Sequence, residues 1–318
     1  MHQRTREILN KVISDEIKVV SFDIFDTLLV RPVVAPTDLF KRVGLRVGFD
    51  NFKDMRIIAE QSARKNKPFF EDDITLDDIY KEFSRLFEVS ADLVDRLKET
   101  ELQVEFDYLC PRKTIREIYH AALDHNKEVI ITSDMYLPKP FLESVLKKNG
   151  YSNYKKLYLS CEEKLAKGTG RLFEKIVSDY EAKGISPNEI IHIGDNQKAD
   201  IEQAKKYHIQ TRHVPSAINI LKSKKKLYPL LQNHASTDNT FLVGYIANTL
   251  FDDPYASFDI NSFFGKEIKN IALIIFGPLM LMFTKWMLED AIKEGIEKLC
   301  FVYRDGYIPL KIYEKLAE

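Results

Sequence analysis

The sequence has few cysteines and no excess of charge of either sign. Its three cysteines, Cys110, Cys161 and Cys300, lie far apart and are odd in number, which fits reduced thiols better than a disulfide framework. Lys plus Arg (47) nearly equals Asp plus Glu (48), so no global field attracts nucleic acid or an anionic membrane. The N-terminus has interleaved charges and no apolar signal core, so we expect a cytoplasmic protein.

Long hydrophobic runs are also lacking. The longest covers 271–283, is interrupted by Gly277 and Pro278, and is too short to cross a bilayer. We therefore expect no transmembrane segment and interpret the run as a buried pair of helices, with peripheral membrane contact left open. The 318 residues, 45% of them hydrophobic and 30% charged, are typical of a folded protein of one or two domains.

Short apolar, β-branched runs alternate with helical patterns. This alternation predicts an α/β fold with a parallel, doubly wound sheet. Four charged helical stretches lie between the first two runs and predict a helical module inserted after the first strand, which can act as a lid. The predicted strands are 18–22, 128–132, 156–159, 190–193 and 210–214, and the inserted helices are 37–47, 52–65, 75–87 and 91–109.

The composition changes after residue 221, where a lysine run and a polar stretch indicate a domain boundary. The residues beyond it are predicted to be mainly helical, with one strand at 298–303 and a final helix. The pattern Asp-x-Tyr-[Leu/Ile]-Pro occurs at 134–138 and again at 305–309, which suggests an incomplete, degenerate second copy. The predicted division is a core of 1–32 and 111–220, an insert of 33–110, a linker of 221–240 and a C-terminal α/β segment of 241–318.

Four short polar elements follow predicted strands. The carboxyl ends of parallel strands share one edge of a sheet, so these elements are expected to meet there. Asp23 could attack phosphorus or hold a cation, Ser133 could bond a phosphate oxygen, and Lys167 could neutralise phosphate. Asp195 follows Gly194 where a hard cation could be held, and Asp200 could orient a loop or a lysine.

Each element also has a structural interpretation. Asp23 and the hydroxyls near Ser133 could simply form turns, and Asp200 could cap a helix. A loop lysine is usually solvated, and Lys164 competes with Lys167 for the same role. The joint occurrence of the four elements, in order, is what favours a functional site.

The four elements together resemble the haloacid dehalogenase (HAD) superfamily over residues 15–215. An apolar strand ending in Asp-x-x-x-Thr, a strand ending in Ser or Thr, a loop lysine and Gly-Asp-x-x-x-x-Asp occur here in that family's order. The resemblance implies a Rossmann-like core and a Mg²⁺-dependent phosphatase or phosphotransferase, with 33–110 as the family's cap. It assigns catalytic roles to Asp23 as nucleophile, Ser133, Lys167 and Asp200. It implies that Mg²⁺ is bound by the carboxylates of Asp23 and Asp195 and by the backbone carbonyl of Phe25.

The substrate is implied to be a small phosphorylated molecule. Its expected contacts are Thr27, Arg31, Thr132, Asp134 and Asn196. The chain is also similar to predicted bacterial HAD hydrolases associated with glycosyltransferases of surface polysaccharide synthesis. That similarity implies a sugar phosphate as substrate and a glycosyltransferase as partner. The C-terminal segment, whose single predicted strand cannot form a sheet alone, offers a second copy of the chain as the alternative partner.

Phe25 departs from the family pattern. Typical HAD phosphatases have an acid/base Asp there, and such catalysis contributes about a hundred- to ten-thousand-fold to the rate. Asp26 would need a different loop path to replace it. The departure leaves two alternatives open: a weak or inactive module that binds a phosphorylated ligand, and a dehalogenase, which has an aromatic residue at this position but needs no Mg²⁺ and lacks the Gly-Asp pair.

Several other polar residues carry expectations of their own. Arg56, Glu60 and Arg64 share one helix face and are expected to form an exposed salt-bridge ladder rather than a substrate-facing row. His192 points into the sheet by strand alternation and is interpreted as a packed histidine. A second polar site at Arg304 and Tyr307 cannot be interpreted from the sequence.

Overall fold

Residues 1–232 and 236–317 are described by the computed structural model. Their contacts divide the chain into two units. The first is Met1–Ser223 with Leu231–Ala256, and the second is Lys224–Leu230 with Ser257–Glu318.

A five-stranded parallel sheet forms the centre of the first unit. Its strands are β1 (Val19–Phe22), β4 (Glu128–Ser133), β5 (Lys156–Leu159), β6 (Ile190–Gly194) and β7 (Gln210–His213), in the order β5-β4-β1-β6-β7. Four of these strands are almost completely buried because helices cover both faces, which is why their sequences are continuous apolar runs. The predicted α/β fold and all five predicted strands are confirmed.

The helices around this sheet follow the predicted alternation. Those of the first unit are α1 (Gln3–Ile13), α2 (Leu39–Val47), α3 (Phe52–Asn66), α4 (Leu76–Phe87), α5 (Ala91–Tyr108), α6 (Lys113–Asp124), α7 (Lys139–Lys148), α8 (Ser160–Glu163), α9 (Arg171–Glu181), α10 (Gln203–Lys206), α11 (Ala217–Lys222) and α13 (Thr237–Leu250). Short 3₁₀ turns lie at Pro36–Asp38 and Pro187–Glu189, and α12 is Tyr228–Leu231.

The helices α2 to α5 form the predicted insert, which we call the cap. Helix α4 begins at a capping box in which Thr75 and Asp78 bond each other's backbone N–H groups. Two short antiparallel strands, β2 (Leu29–Val30) and β3 (Cys110–Pro111), pair where the chain enters and leaves the cap. The two connections between core and cap therefore run side by side.

Helix α13 packs on the first unit, although residues 241 onwards were predicted to belong to a separate segment. Thr240 accepts a hydrogen bond from Val34 N–H (3.0 Å), and Asn248 donates to the carbonyl of Arg31 (2.9 Å). Gly244 lies against the backbone of Pro32 and Val33, where a side chain would collide. The contact boundary thus lies at residues 256 and 257, because α13 is held by the connection that leads into the cap.

The second unit has no strand among its described residues. Residues 298–303, predicted as a strand, are irregular because no neighbouring strand pairs with them. The helices are α14 (Ile268–Ile271), α15 (Gly277–Lys293) and α16 (Tyr307–Leu316). The second copy of the Asp-x-Tyr motif lies at the start of α16, whereas the first lies in the loop before α7, so the two copies differ in local structure.

The longest apolar run is one continuous helix and not a buried pair. A π-helical turn, Ala272–Phe276, joins α14 to α15, and its wider geometry lets the helix pass Pro278, which lacks an amide hydrogen. Met282 and Trp286 are 67% and 60% exposed. The helix Ile268–Lys293 has 26 residues and is long and apolar enough to cross a membrane by length and composition, a test that core helices of soluble proteins also pass.

Candidate functional site

Asp23 lies directly after β1, at the central strand of the sheet. Its carboxylate oxygen Oδ1 accepts a hydrogen bond from Lys167 Nζ at 2.6 Å, and the same ammonium donates to Asp200 Oδ1 at 2.5 Å. All three side chains are almost completely buried. Lys167 is therefore fixed between two carboxylates, one from a residue that precedes it in the chain and one from a residue that follows it.

The segment after β6 brings Asp195 and Asp200 to the same place. Gly194 ends the strand, and a Cβ atom there would collide with the side chain of Asp200. Asn196 begins the next helical segment, Gln197–Glu202, by accepting hydrogen bonds from Lys198 N–H and Ala199 N–H, both at 3.0 Å. Asp200 Oδ2 accepts from Asn196 N–H (2.9 Å), so this carboxylate supports the loop as well as Lys167.

The carboxylates have perturbed acidities because they are buried together. Burial raises the pKa of Asp23 to about 7 against the opposing charge of Lys167, and burial with repulsion from Asp23 raises the pKa of Asp195 to about 8. Burial would also raise the pKa of Asp200, but Lys167 and His192 outweigh it and hold that pKa below its usual range. Burial alone would lower the pKa of Lys167, but the negative charges of Asp200 and Asp23 outweigh burial and raise that pKa.

A divalent cation fits this cluster. Asp23, Asp195 and Asp200 each offer an oxygen atom, and these three atoms lie within 4.8 Å of one another. Three carboxylates face one ammonium, so their excess negative charge calls for either protons or a cation. Carboxylate oxygens are the ligands that Mg²⁺ prefers. Both oxygens of Asp200 already accept hydrogen bonds, Oδ1 from Lys167 and Oδ2 from Asn196 N–H, so Asp23 and Asp195 are the better ligands.

The cluster forms one end of a cavity of about 340 Å³ between the sheet and the cap. Ser133 Oγ lies in its wall, is buried, and has no hydrogen-bond partner within the described chain. A buried hydroxyl without a partner is unusual in a folded protein and points to a group that is absent here. The remaining lining residues are Phe25, Asp26, Arg31, Pro36, Thr37, Phe40, Glu60, Glu105, Asp134, Met135, Tyr136, Asn196 and Ala199.

The predicted substrate contacts are not all brought together. Arg31, Asp134 and Asn196 line the cavity, whereas Thr27 and Thr132 are buried away from it. Thr27 Oγ1 has no partner among the described residues. Thr132 bonds Ser21 inside the sheet because alternation turns it away from Ser133.

The contacts of Asp134 and Lys164 show which lysine of the loop reaches the carboxylate cluster. Asp134 accepts hydrogen bonds from Lys167 N–H (2.7 Å) and Gly168 N–H (3.1 Å), so it fixes the loop that carries the lysine. Lys164, the competing lysine, pairs instead with Glu71 of the cap at 3.1 Å. Lys167 is therefore the lysine at the carboxylate cluster.

Phe25 and Arg31 form a stacked pair in the cavity wall. The Arg31 guanidinium lies over the Phe25 ring at 4.2 Å from its centre, and Arg31 Nε donates to both carboxylate oxygens of Glu105 (3.1 and 2.9 Å). Asp26 lies next to them in the left-handed backbone region, with φ of 59°, and also lines the cavity. The aromatic ring occupies the position where the family pattern has an acid.

The predicted exposed ladder on α3 is wrong for its first member. Arg56 is fully buried and forms two 2.8 Å hydrogen bonds with Glu101, while its guanidinium stacks on Phe40. Glu60 pairs with both arginines, with Arg56 at 3.2 Å and with the partly exposed Arg64 at 2.9 Å, and it also lines the cavity. The ladder therefore forms, but its first member is buried because Arg56 also pairs with Glu101 of a second cap helix, α5.

Several residues that shape the site were not predicted from the sequence. Glu105 and Tyr136 line the cavity. Tyr136 belongs to the Asp-x-Tyr pattern at 134–138, whereas nothing local in the sequence marks Glu105. His192 is fully buried and bonds both Ser21 and Asp200, so it is more than a packed histidine. Burial lowers the pKa of His192 and keeps its ring neutral. A histidine at an inward-facing strand position two residues before Gly194 was the one available signal.

Comparisons with known proteins gave fold likenesses at low identity. No family model matches the chain, and no curated protein matches it. A HAD family enzyme from Bacteroides thetaiotaomicron, solved with magnesium and inorganic phosphate, is 16% identical over 63% of this chain and 95% of its own, with a TM-score of 0.45. A HAD-like hydrolase from Xanthomonas campestris is 16% identical over 64% and 83% (TM-score 0.45). A 2-haloacid dehalogenase from Pseudomonas syringae is 14% identical over 61% and 85% (TM-score 0.44).

Proposed function

We propose that this chain is a Mg²⁺-dependent phosphatase or phosphotransferase that uses Asp23 as its nucleophile. The observation that carries the proposal is Lys167, fixed between Asp23 and Asp200 at the end of a cavity whose wall also holds Asp195. The unpaired hydroxyl of Ser133 supports it, because a phosphate oxygen is an acceptor that would complete this group.

The reaction follows from these positions. An oxygen of Asp23 attacks phosphorus, the bond from phosphorus to the ester oxygen breaks, and an aspartyl phosphate forms. Lys167 and Ser133 hold the phosphoryl oxygens while charge develops on them. Mg²⁺, held by Asp23, Asp195 and the Phe25 carbonyl, would neutralise further charge. Water then attacks phosphorus, and phosphate leaves with Asp23 restored.

The leaving oxygen must gain a proton, and Phe25 cannot supply it. Asp26 is the neighbouring carboxyl that lines the cavity, and burial raises its pKa, which favours the protonated form. We assign Asp26 as the group that donates this proton. Replacing it with Asn should lower kcat for an ester with a poor leaving group more than for one with a good leaving group such as a nitrophenol.

The test is phosphate release from a panel of phosphorylated metabolites, measured with and without Mg²⁺. We expect turnover that is abolished both by chelation and by Asp23→Asn, a variant that keeps the shape of the side chain. Asp124→Asn, at the exposed C-terminal end of α6 and outside the cavity lining, is the matched control and should retain activity. Release of phosphate that persists in Asp23→Asn would end the proposal.

A second candidate is a binding module that holds a phosphorylated ligand without turnover. The stacking of Phe25 under Arg31 favours it, because a packed aromatic ring fills the position of the missing acid. This function predicts saturable binding of inorganic phosphate with Mg²⁺ but no hydrolysis of any ester. Phe25→Asp should then create activity, whereas in a working enzyme that uses Asp26 it should not be required.

The substrate class, the location and the partner are proposals as well. We propose a sugar phosphate as substrate, a cytoplasmic location, and a glycosyltransferase or a second copy of the chain as partner, all from the sequence resemblance. The dehalogenase alternative predicts halide release that is indifferent to chelation. Testing 2-haloacids beside the phosphate panel distinguishes it, because Asp23 would then displace halide from carbon and the cation at Asp23 and Asp195 would be unnecessary for the reaction.

A further inference from the structure

A chain of buried polar side chains crosses the sheet beneath the site. Thr132 on β4, Ser21 on β1 and His192 on β6 lie on neighbouring strands, and all are almost fully buried. The Thr132 and Ser21 hydroxyls lie 2.9 Å apart, Ser21 Oγ lies 2.7 Å from His192 Nδ1, and His192 Nε2 lies 3.2 Å from Asp200 Oδ1. Buried polar groups of this kind fix one arrangement when every member is satisfied.

One set of hydrogen-bond directions satisfies every member. Asp200 is an ionised carboxylate and can only accept, so the proton shared with His192 belongs to Nε2. Nδ1 of the neutral ring is then an acceptor, and the Ser21 hydroxyl donates to it. The Thr132 hydroxyl in turn donates to Ser21. The position of the ring is thus set by Ser21 on the neighbouring strand β1, which is itself bonded to Thr132 on β4.

We propose that His192 is a positioning residue, which holds Asp200 in the orientation that keeps Lys167 against Asp23. Asp200 Oδ1 accepts from both His192 and Lys167, so the two donors fix the same oxygen atom. Without His192, the Asp200 carboxylate can rotate and release the lysine. The inference rests on the function proposed above, since it concerns the geometry around the nucleophile.

The first experiment compares His192→Gln with His192→Met. The two side chains have similar length and volume, but only Gln can donate an N–H to Asp200. We expect Gln to keep most of kcat and Met to lose about 10- to 100-fold, as for other groups that orient a reactive residue, with KM changed less than kcat. Equal kcat values for the two variants, whether high or low, would overturn the role of the hydrogen bond.

A second readout does not depend on turnover. Nitrogen-15 NMR of the full chain should show His192 as the neutral Nε2–H tautomer and Lys167 as a slowly exchanging, hydrogen-bonded ammonium. The lysine signal should persist in His192→Gln and shift or broaden in His192→Met. An Nδ1–H tautomer, or an unchanged lysine signal in both variants, would contradict the proposal.

These readouts separate the two proposals. If the wild-type chain hydrolyses no phosphate ester, the enzymatic function fails, and the NMR signals of Lys167 still decide whether His192 positions it. Thermal unfolding checks that the variants are folded. If neither variant folds, Ser21→Ala replaces them, because it removes the donor to Nδ1 and leaves the ring in place. It should weaken the Nε2–H tautomer and lower kcat several-fold, and no change in either would overturn the inference.

Discussion

At the scale of single residues, Gly194 is where the backbone and Asp200 approach most closely. We predict that Gly194→Ala will displace Asp200, because its added Cβ has no room beside that carboxylate. Forcing one methyl group into a packed site costs about 1–3 kcal/mol of the free energy of unfolding. The loss of the proposed phosphatase activity should be larger than this stability change implies, since Lys167 is released with Asp200. Urea unfolding and kcat measure the two effects.

The control for this change is Gly184→Ala. Gly184 has a positive φ of 76° and open space around its Cβ position, so the variant adds backbone strain without a collision. It should lower stability by about 1 kcal/mol and leave kcat unchanged. Normal kcat in Gly194→Ala would show that Asp200 has more freedom than its contacts suggest.

Replacing Ser133 with Ala should affect ligand binding rather than the free energy of unfolding, which is the opposite of what is expected for a structural serine. Its hydroxyl is buried without a partner, so Ser133→Ala removes no hydrogen bond of the folded chain and should be neutral or slightly stabilising. Binding of inorganic phosphate in the presence of Mg²⁺ should weaken about tenfold, because a hydrogen bond to a charged oxygen is lost. Calorimetric titration with phosphate measures this change.

Ser160→Ala is the matched comparison for Ser133→Ala. Ser160 is also buried, but its hydroxyl accepts from Met135 N–H (2.8 Å) and bonds Asp73. Its loss should lower the free energy of unfolding by about 1–3 kcal/mol, because Met135 N–H and Asp73 lose their shared partner. If Ser133→Ala is destabilised as strongly as Ser160→Ala, the unpaired hydroxyl is not a vacant ligand contact.

At the scale of elements, α13 holds the connection between core and cap. Thr240 accepts from Val34 N–H and donates to Asp38 (2.5 Å). We predict that Thr240→Val will leave Val34 N–H unpaired and remove one donor from Asp38, which keeps Ala35 N–H and Lys53. The loss should be about 1–3 kcal/mol, accompanied by faster proteolysis of residues 31–35. Thr249→Val on the same helix, whose exposed hydroxyl bonds only its own helix, should change stability by less than about 0.5 kcal/mol.

The contrast between β strands and α13 shows what the sequence can reveal about the elements. Buried parallel strands are apolar on both faces, so β1, β4 and β6 are visible as local runs. Helix α13 is also apolar, but its assignment to the first unit depends on Thr240 and Asn248 meeting residues about two hundred positions earlier. No local pattern records such contacts.

The same limit applies to the site. Asp23, Lys167, Asp195 and Asp200 could be predicted because each follows a strand or lies in the loop beside one, and topology alone brings such positions together. Glu105 and the burial of Arg56 could not, since both depend on how two cap helices pack. The position of a side chain across the cavity is a tertiary property.

At the scale of the whole molecule, the carboxylate cluster should make stability depend on pH and Mg²⁺. Unfolded Asp side chains ionise near pH 4, whereas the pKa values of Asp23 and Asp195 in the folded protein are raised to about 7 and about 8. The folded state therefore holds more protons than the unfolded state between these limits. Without Mg²⁺, the free energy of unfolding should fall as pH rises from 5 to 8.

Mg²⁺ should reverse this fall, because it stabilises the ionised carboxylates of the folded state only. At a hundred times its dissociation constant it should add about 2.7 kcal/mol to the free energy of unfolding, and binding at pH 6 should release protons that binding at pH 9 does not. Urea titrations at each pH, with Mg²⁺ or with chelator, measure the effect. Asp195→Asn removes one of the two titrating groups and a ligand, so it should flatten the pH dependence and lose the response to Mg²⁺; an unchanged response would place the cation elsewhere.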